Sequence, residues 1–248
     1  EAIGYKALAV NLSDIAAMAA RPLAAVVAVA LPRDWAAEVA RGIFTGLTSA
    51  AAQFGVSLAG GDTNAWDGPL VISVTLLGET TSNGPALRSG ARSDDVIFVT
   101  GPLGGSILGR HLHPTPRLEE ALAIHRVVPI HALIDISDGL GADLTHILDE
   151  SGGLGALLQE SAIPIHPDAI ELSAMDGIPP LQHALNDGED FELCLVVSHE
   201  DAAKLERTPP PGVVLYRIGQ VVSMPGLWLL DDQGKTRTYE PAGFDHLR

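Results

Sequence analysis

The stretch "LIDISDGLGADLTHILDESGG" (133–153) decides how this chain is read. Leu133 and Ile134 belong to a short apolar strand, and Leu140, Leu144, Ile147 and Leu148 then recur on one helical stripe that closes at Gly152-Gly153. Between strand and helix stand Asp135, Ser137 and Asp138. A cap needs one of these residues. A strand end feeding a helix N-terminus is also a place where an anion is held. The stretch therefore reads either as turn and cap chemistry or as a metal and phosphate site. Asp143 lies further into the helix and is expected to be solvated.

Outward from this unit, "VIFVTGPLGGSILGR" (96–110) repeats strand, glycine turn and helix. Helix formers fill 2–20, up to Arg21-Pro22. "LAAVVAVAL" (23–31) is a strand buried on both faces or facing a partner. A second helix is expected over 34–55, opened by Asp34 and closed by Gly55, and a strand over 69–79. "FELCLVVS" (191–198), "VVLYRIGQVV" (213–222) and "LWLLDD" (227–232) add strands. Helices and strands mix without a strict βαβ period, which points to α+β. The polar, turn-rich stretch 80–95 divides the chain into expected domains 1–82 and 83–248.

The 248 residues carry a formal net charge of −16 and 4% aromatics, the wrong sign and composition for a nucleic-acid surface. Lysines are confined to Lys6, Lys204 and Lys235, so phosphate handling must lean on metals, arginines and backbone N–H groups. The one cysteine, Cys194, excludes an internal disulfide and reads as core. No apolar run reaches the ~18 residues of a membrane span. A cytoplasmic setting is expected. The chain enters at Glu1 on a helical pattern, and a preceding segment is expected.

Four acid clusters could carry chemistry. Asp14 sits in an apolar helix, with Asn11 one turn earlier. "GGDTN" (60–64) joins two glycines to Asp62, either as a plain turn or as a close approach to a ligand. "DISDGL" (135–140) fails the EF-hand spacing, because His146 falls where the bidentate Glu belongs. "NDGEDFEL" (186–193) places Glu189, Asp190 and Glu192 beside a turn, where a solvated loop is the plain alternative. No Walker loop, G-x-G-x-x-G, H-E-x-x-H or G-x-S-x-G occurs, so the commonest nucleotide, zinc and serine-hydrolase motifs are absent. Carboxylates without a phosphate-binding lysine suit Mg²⁺ bridging acids and polyphosphate oxygens.

"KALAVNLSDIAAMAARP", "AGGDT", "LRSGAR", "PTPR", "IDISDGLGADLTHI" and "DGEDFEL", in this order, resemble the thiamine-monophosphate kinases. That family belongs to the superfamily of aminoimidazole ribonucleotide synthetase, selenide-water dikinase and a hydrogenase maturation factor. The resemblance implies a two-domain synthetase-like α+β fold, with an N-terminal sheet-plus-helices domain that forms a homodimer. It implies that ATP phosphorylates thiamine monophosphate to thiamine diphosphate with several Mg²⁺ ions. By motif, Asp14, Asp62, Asp135 and Asp138 would be metal ligands; Gly61, Asp62, Arg88 and Ser137 would contact ATP; Glu189 and Phe244 would bind the thiamine substrate. The acceptor is already anionic at neutral pH, so no general base and no phosphoenzyme are expected, and no residue is assigned as catalytic. In the family a Gly-rich stretch and a paired-Asp motif lie in the segment expected before Glu1; within this chain, Ala19 stands where Gly is usual, Asp187 replaces a glycine, and Phe191 replaces Tyr. The alternatives are a synthetase-like ligase and a nucleotide-binding relative without turnover.

Overall fold

A computed structural model describes residues 1–35 and 37–242. It contains two sheets. Helix α1 (Ala2–Ala17) leads through a tight reversal into β1 (Ala20–Pro32), followed by α2 (Ala37–Gln53), β2 (Ser57–Trp66) and β3 (Val71–Thr80). The first sheet has the order β2-β1-β3, with β2 parallel and β3 antiparallel to β1. One face packs on α1 and α2 through Leu8, Leu12, Ile43 and Leu47. The opposite face is open: Leu23, Val26, Val71 and Leu77 are all exposed. The apolar run of β1 is therefore buried on one side only, and the reading that it is buried on both faces is not met in this chain.

The reversal after α1 runs through Ala19, fully buried with a left-handed φ of 49°. This conformation is disfavoured for any residue with a Cβ, which gives a physical reason for glycine at this place. Helix α2 begins at Ala37, three residues beyond Asp34, and closes with Gly55 at φ 68° as expected.

Residues 81–95 connect β3 to β4 (Val96–Val99), which lies in the second sheet. That sheet continues through β5 (Ala132–Asp135), β6 (Gly155–Gln159), β7 (Leu193–Val197), β8 (Tyr216–Val222), β9 (Gly226–Leu230) and β10 (Thr236–Tyr239), in the order β10-β9-β6-β8-β4-β7-β5. All its pairings are antiparallel except β6 with β9. Helix α4 (Leu140–Glu150) buries Leu140, Leu144, Ile147 and Leu148 against one face, the stripe read from the sequence. The other face, with Phe98, Leu133 and Leu195, shares a core with α1 and α3 (Leu118–Val127). Helices α5 (Pro167–Asp176), α6 (Pro180–Asn186) and α7 (His199–Arg207) complete the fold.

The helix expected after "TGPLGG" is absent. Two short 3₁₀ turns, Ser106–Leu108 and Arg110–Leu112, stand there. Gly104, Gly105 and Gly109 all have positive φ, so an α-helix cannot propagate through them. Among the described residues no helix is long and apolar enough to cross a membrane.

Candidate functional site

Helix α1 presses against the end of β5. Ser13, fully buried, donates its hydroxyl to Asp135 Oδ2 at 2.6 Å. Asp135 is only 3% exposed, so this hydrogen bond and its charged neighbours decide its state. Burial pushes its carboxyl up to about 6; Ser13 opposes the rise, Asp14 adds to it, and Arg88 opposes it. Asp14 is also raised by burial, against the pull of Arg88. Asp14, Asp135 and Arg88, expected to act together, thus share one electrostatic field. A hollow of about 420 Å³ is lined by two of them, Asp14 and Arg88, with Ser89, Leu133 and Glu150.

The turn after Asp135 is held by a residue the sequence reading set aside. Asp143 is 2% exposed, not solvated. Its Oδ2 accepts the backbone N–H groups of Ser137, Asp138 and Gly139 at 2.9, 3.0 and 3.1 Å. Gly139 is the residue before α4 and supplies no side-chain cap, so neither Ser137 nor Asp138 serves as the ordinary N-cap. Burial raises the Asp143 carboxyl to about 7, outweighing the Asp138 and Ser137 amides that oppose it, and the charges of Asp138 and Asp135 add to the rise. The signal was in the sequence: an acid in the first helical turn is placed to cap the amides before it.

The acids of 186–193 divide into two roles. Glu192 accepts from Thr100 Oγ1 at 2.6 Å and takes Arg117 through both oxygens at 2.8 and 2.5 Å. Asp190 accepts the Gly104 amide at 2.9 and 3.0 Å and Arg110 at 3.0 Å. Asp187 accepts the Gly105 amide at 2.8 Å and bonds His183. These acids fasten the glycine turn 100–106, and Asp190 and Glu192 are buried, so the solvated-loop alternative fails for them. Glu189 is different. It has a left-handed φ of 52°, and its side chain pairs with Lys6 of α1. Its amide donates to the Ser137 carbonyl at 2.8 Å, and the Phe191 amide to that of Ile136 at 2.9 Å. The two acid turns are thereby laced together.

Asp62 lies elsewhere, on exposed β2. Its Oδ1 accepts the Thr63 amide at 2.9 Å and its Oδ2 accepts Asn64 Nδ2 at 2.7 Å. It is not among the groups that shift Asp14 or Asp135. Gly61 is required by the fold: a Cβ there would stand 1.9 Å from the Val27 carbonyl oxygen of β1. A second hollow of about 280 Å³ borders Gly60, Gly61 and Asp62 together with Val27 and Phe44. Phe244 lies outside the described residues.

The donor set fits a hard divalent cation. It is all carboxylate oxygen around Asp14 and Asp135, with Arg88 as a nearby positive charge. Asp138, Asp143 and His146 also bring one donor atom each within 4.8 Å of one another, although Asp143 spends an oxygen on the turn.

Residues 1–80 match the family model "AIR synthase related protein, N-terminal domain". A thiamine-monophosphate kinase of Rhodopirellula baltica is 47% identical over 244 residues, 98% of this chain and 76% of that protein. The crystal structure of a thiamine monophosphate kinase from Aquifex aeolicus superposes with a TM-score of 0.81 at 28% identity, covering 95% of this chain and 82% of that one. The structure of AaThiL complexed with AMPPCP and TMP gives a TM-score of 0.85 at 29% identity, covering 99% and 80%. The two-domain α+β architecture of these proteins is that of the present chain.

Proposed function

This chain belongs to the thiamine-monophosphate kinase family, and from that premise we propose how its residues carry the reaction. The activity is the ATP-dependent phosphorylation of thiamine monophosphate to thiamine diphosphate. We propose that transfer is direct and in-line, on the face where α1 meets the turn 135–139. Asp14, Asp135 and Asp138 would hold Mg²⁺ there, and Asp62 would hold another ion at β2. Bound Mg²⁺ supplies the positive charge that lets two phosphate groups approach. Arg88 and Ser137 contact ATP, with Gly61 and Asp62 at the hollow beside β2. Glu189 and Phe244 take the thiamine moiety. The observation that carries this reading is the buried Ser13–Asp135 contact, which brings the "NLSD" and "DISDG" motifs, 122 residues apart, into one acidic pocket.

The acceptor oxygen is anionic at neutral pH, so the protein has no proton to remove. Its work is to fix geometry. Ser13 orients Asp135, Asp143 sets the turn that carries Ser137 and Asp138, and Arg88 offsets charge at the pocket. Phosphoryl transfer gains most from such positioning. The open face of β1 and β3, with Val26 and Leu77 exposed, supports a homodimer through the N-terminal domain. Incubation with ATP, Mg²⁺ and thiamine monophosphate tests the reading. Formation of thiamine diphosphate supports it; phosphate release with formylglycinamidine ribonucleotide instead would favour the synthetase-like alternative.

A further inference from the structure

We propose that Lys6 is a substrate-binding residue: it neutralises Glu189 in the free enzyme and moves to the phosphate of the acceptor when Glu189 takes the substrate's cationic ring. The proposal rests on the role given above to Glu189. Lys6 Nζ donates to Glu189 Oε1 across 183 residues of sequence, so local structure does not force the contact. Their side chains remain 25% and 40% exposed, within reach of a ligand. The pair is also placed by the fold. Lys6 and Ser13 are seven residues apart, almost two full helical turns, so they share one stripe of α1 about 10 Å apart along its axis. From that stripe Ser13 reaches Asp135 and Lys6 reaches Glu189. The Glu189 backbone is left-handed and its amide is tied to Ser137, and its carboxylate takes Lys6 whereas Asp187, Asp190 and Glu192 take the glycine turn and its neighbours.

Charge explains why such a pair serves this acceptor. Thiamine monophosphate carries a positive thiazolium and a negative phosphate joined by a two-carbon tether. A Lys–Glu pair is complementary to that zwitterion. Exchange of partners replaces one ion pair by two. A partly exposed ion pair is weak, so it yields readily, and the phosphate offers the ammonium nearly two negative charges where Glu189 offers one. Of the other two lysines, Lys204 gives its ammonium to the Val127 carbonyl and Lys235 follows the exposed turn before β10. Lys6 is therefore the lysine placed beside the site.

Binding of two ligands to the full chain by calorimetry tests this: thiamine monophosphate, and thiamine, which has the rings but no phosphate. Lys6→Met is expected to weaken thiamine monophosphate about tenfold to a hundredfold and to leave thiamine unchanged or tighter. Lys6→Arg should recover part of the loss, and the KM for ATP should move less than about twofold. Equal weakening of both ligands, or unchanged binding of thiamine monophosphate, would show that Lys6 merely latches the two domains and would overturn the proposal. Glu189→Gln should weaken both ligands. If it weakens neither, the role of Glu189 fails and the exchange with it, while the Lys6→Met ratio still reports separately on the phosphate contact.

Discussion

Removing the Asp143 carboxylate should collapse the turn that carries Ser137 and Asp138. Three amides, at 2.9, 3.0 and 3.1 Å, converge on the single atom Oδ2. In Asp143→Ala all three lose their acceptor. An orphaned buried donor costs about 1–3 kcal/mol, and one that water can reach costs less. Gly139 is buried, whereas Ser137 and Asp138 are half-buried. One full and two reduced penalties give about 2–4 kcal/mol. Relief from burying a reluctant charge, its carboxyl held near 7, returns part of this. The net expected loss is about 2–3 kcal/mol, within the 5–15 kcal/mol of a typical domain, so the variant should still fold. Asp143→Asn can keep an oxygen at the same place and should lose about 1 kcal/mol or less. Urea denaturation followed by circular dichroism measures both variants. Activity should follow the turn: an ångström of misplacement at Ser137 and Asp138 is expected to lower kcat by roughly tenfold to a hundredfold in Asp143→Ala. An Asp143→Ala variant that unfolds at the wild-type urea concentration with unchanged kcat would show that this carboxylate does not hold the turn. If Asn proves as damaging as Ala, the carboxylate's charge, and not its acceptor atom, holds the turn.

Other perturbations test other parts of the molecule. Ala19→Gly relieves a left-handed alanine and should stabilise by about 1 kcal/mol, raising Tm by about 2–4 °C in calorimetry. Asp190 is held up at about 6, against an ordinary 3.8, first by burial. The folded chain therefore binds its proton more tightly than the unfolded chain does. Its contribution to stability is full below about pH 4 and is lost as pH rises to about 6. Asp190→Asn should flatten that part of a plot of urea midpoint against pH, and an unchanged slope would count against the assignment. Val26→Arg with Leu77→Arg should shift sedimentation from dimer to monomer while leaving the circular dichroism spectrum intact. Chasing labelled ATP through turnover should leave no phosphate covalently on the protein.

Much of this structure was legible in the sequence because the informative segments obey a single period. The α4 stripe and the strands β3 and β7 are regular enough to read directly. The short strands β6 and β10 and the 3₁₀ turns after Gly104 are set by tertiary pairing and by positive φ, which a periodicity pattern does not encode. The site divides along the same line. Asp14 and Asp135 stand out because acids in apolar runs need a reason. Asp143 was misread because an acid in the first turn of an amphipathic helix looks like solvent-face polarity until its amides are seen. Ser13 and Lys6 act across 122 and 183 residues, a distance that no local pattern spans. Asp187, Asp190 and Glu192 looked like part of one acidic loop with Glu189, and only their contacts with Arg110, Arg117 and the glycine turn separate them.

We propose that carboxylates gathered by α1 and the turn 135–139 hold the ions that make phosphoryl transfer possible. The most direct test is the rate of thiamine diphosphate formation against Mg²⁺ concentration for the wild type, Asp135→Asn and Asp138→Asn. The rate should depend on Mg²⁺ in the wild type and fall at least about a hundredfold in each variant, with the folded state retained. A rate in Asp138→Asn equal to that of the wild type at every Mg²⁺ concentration would contradict it.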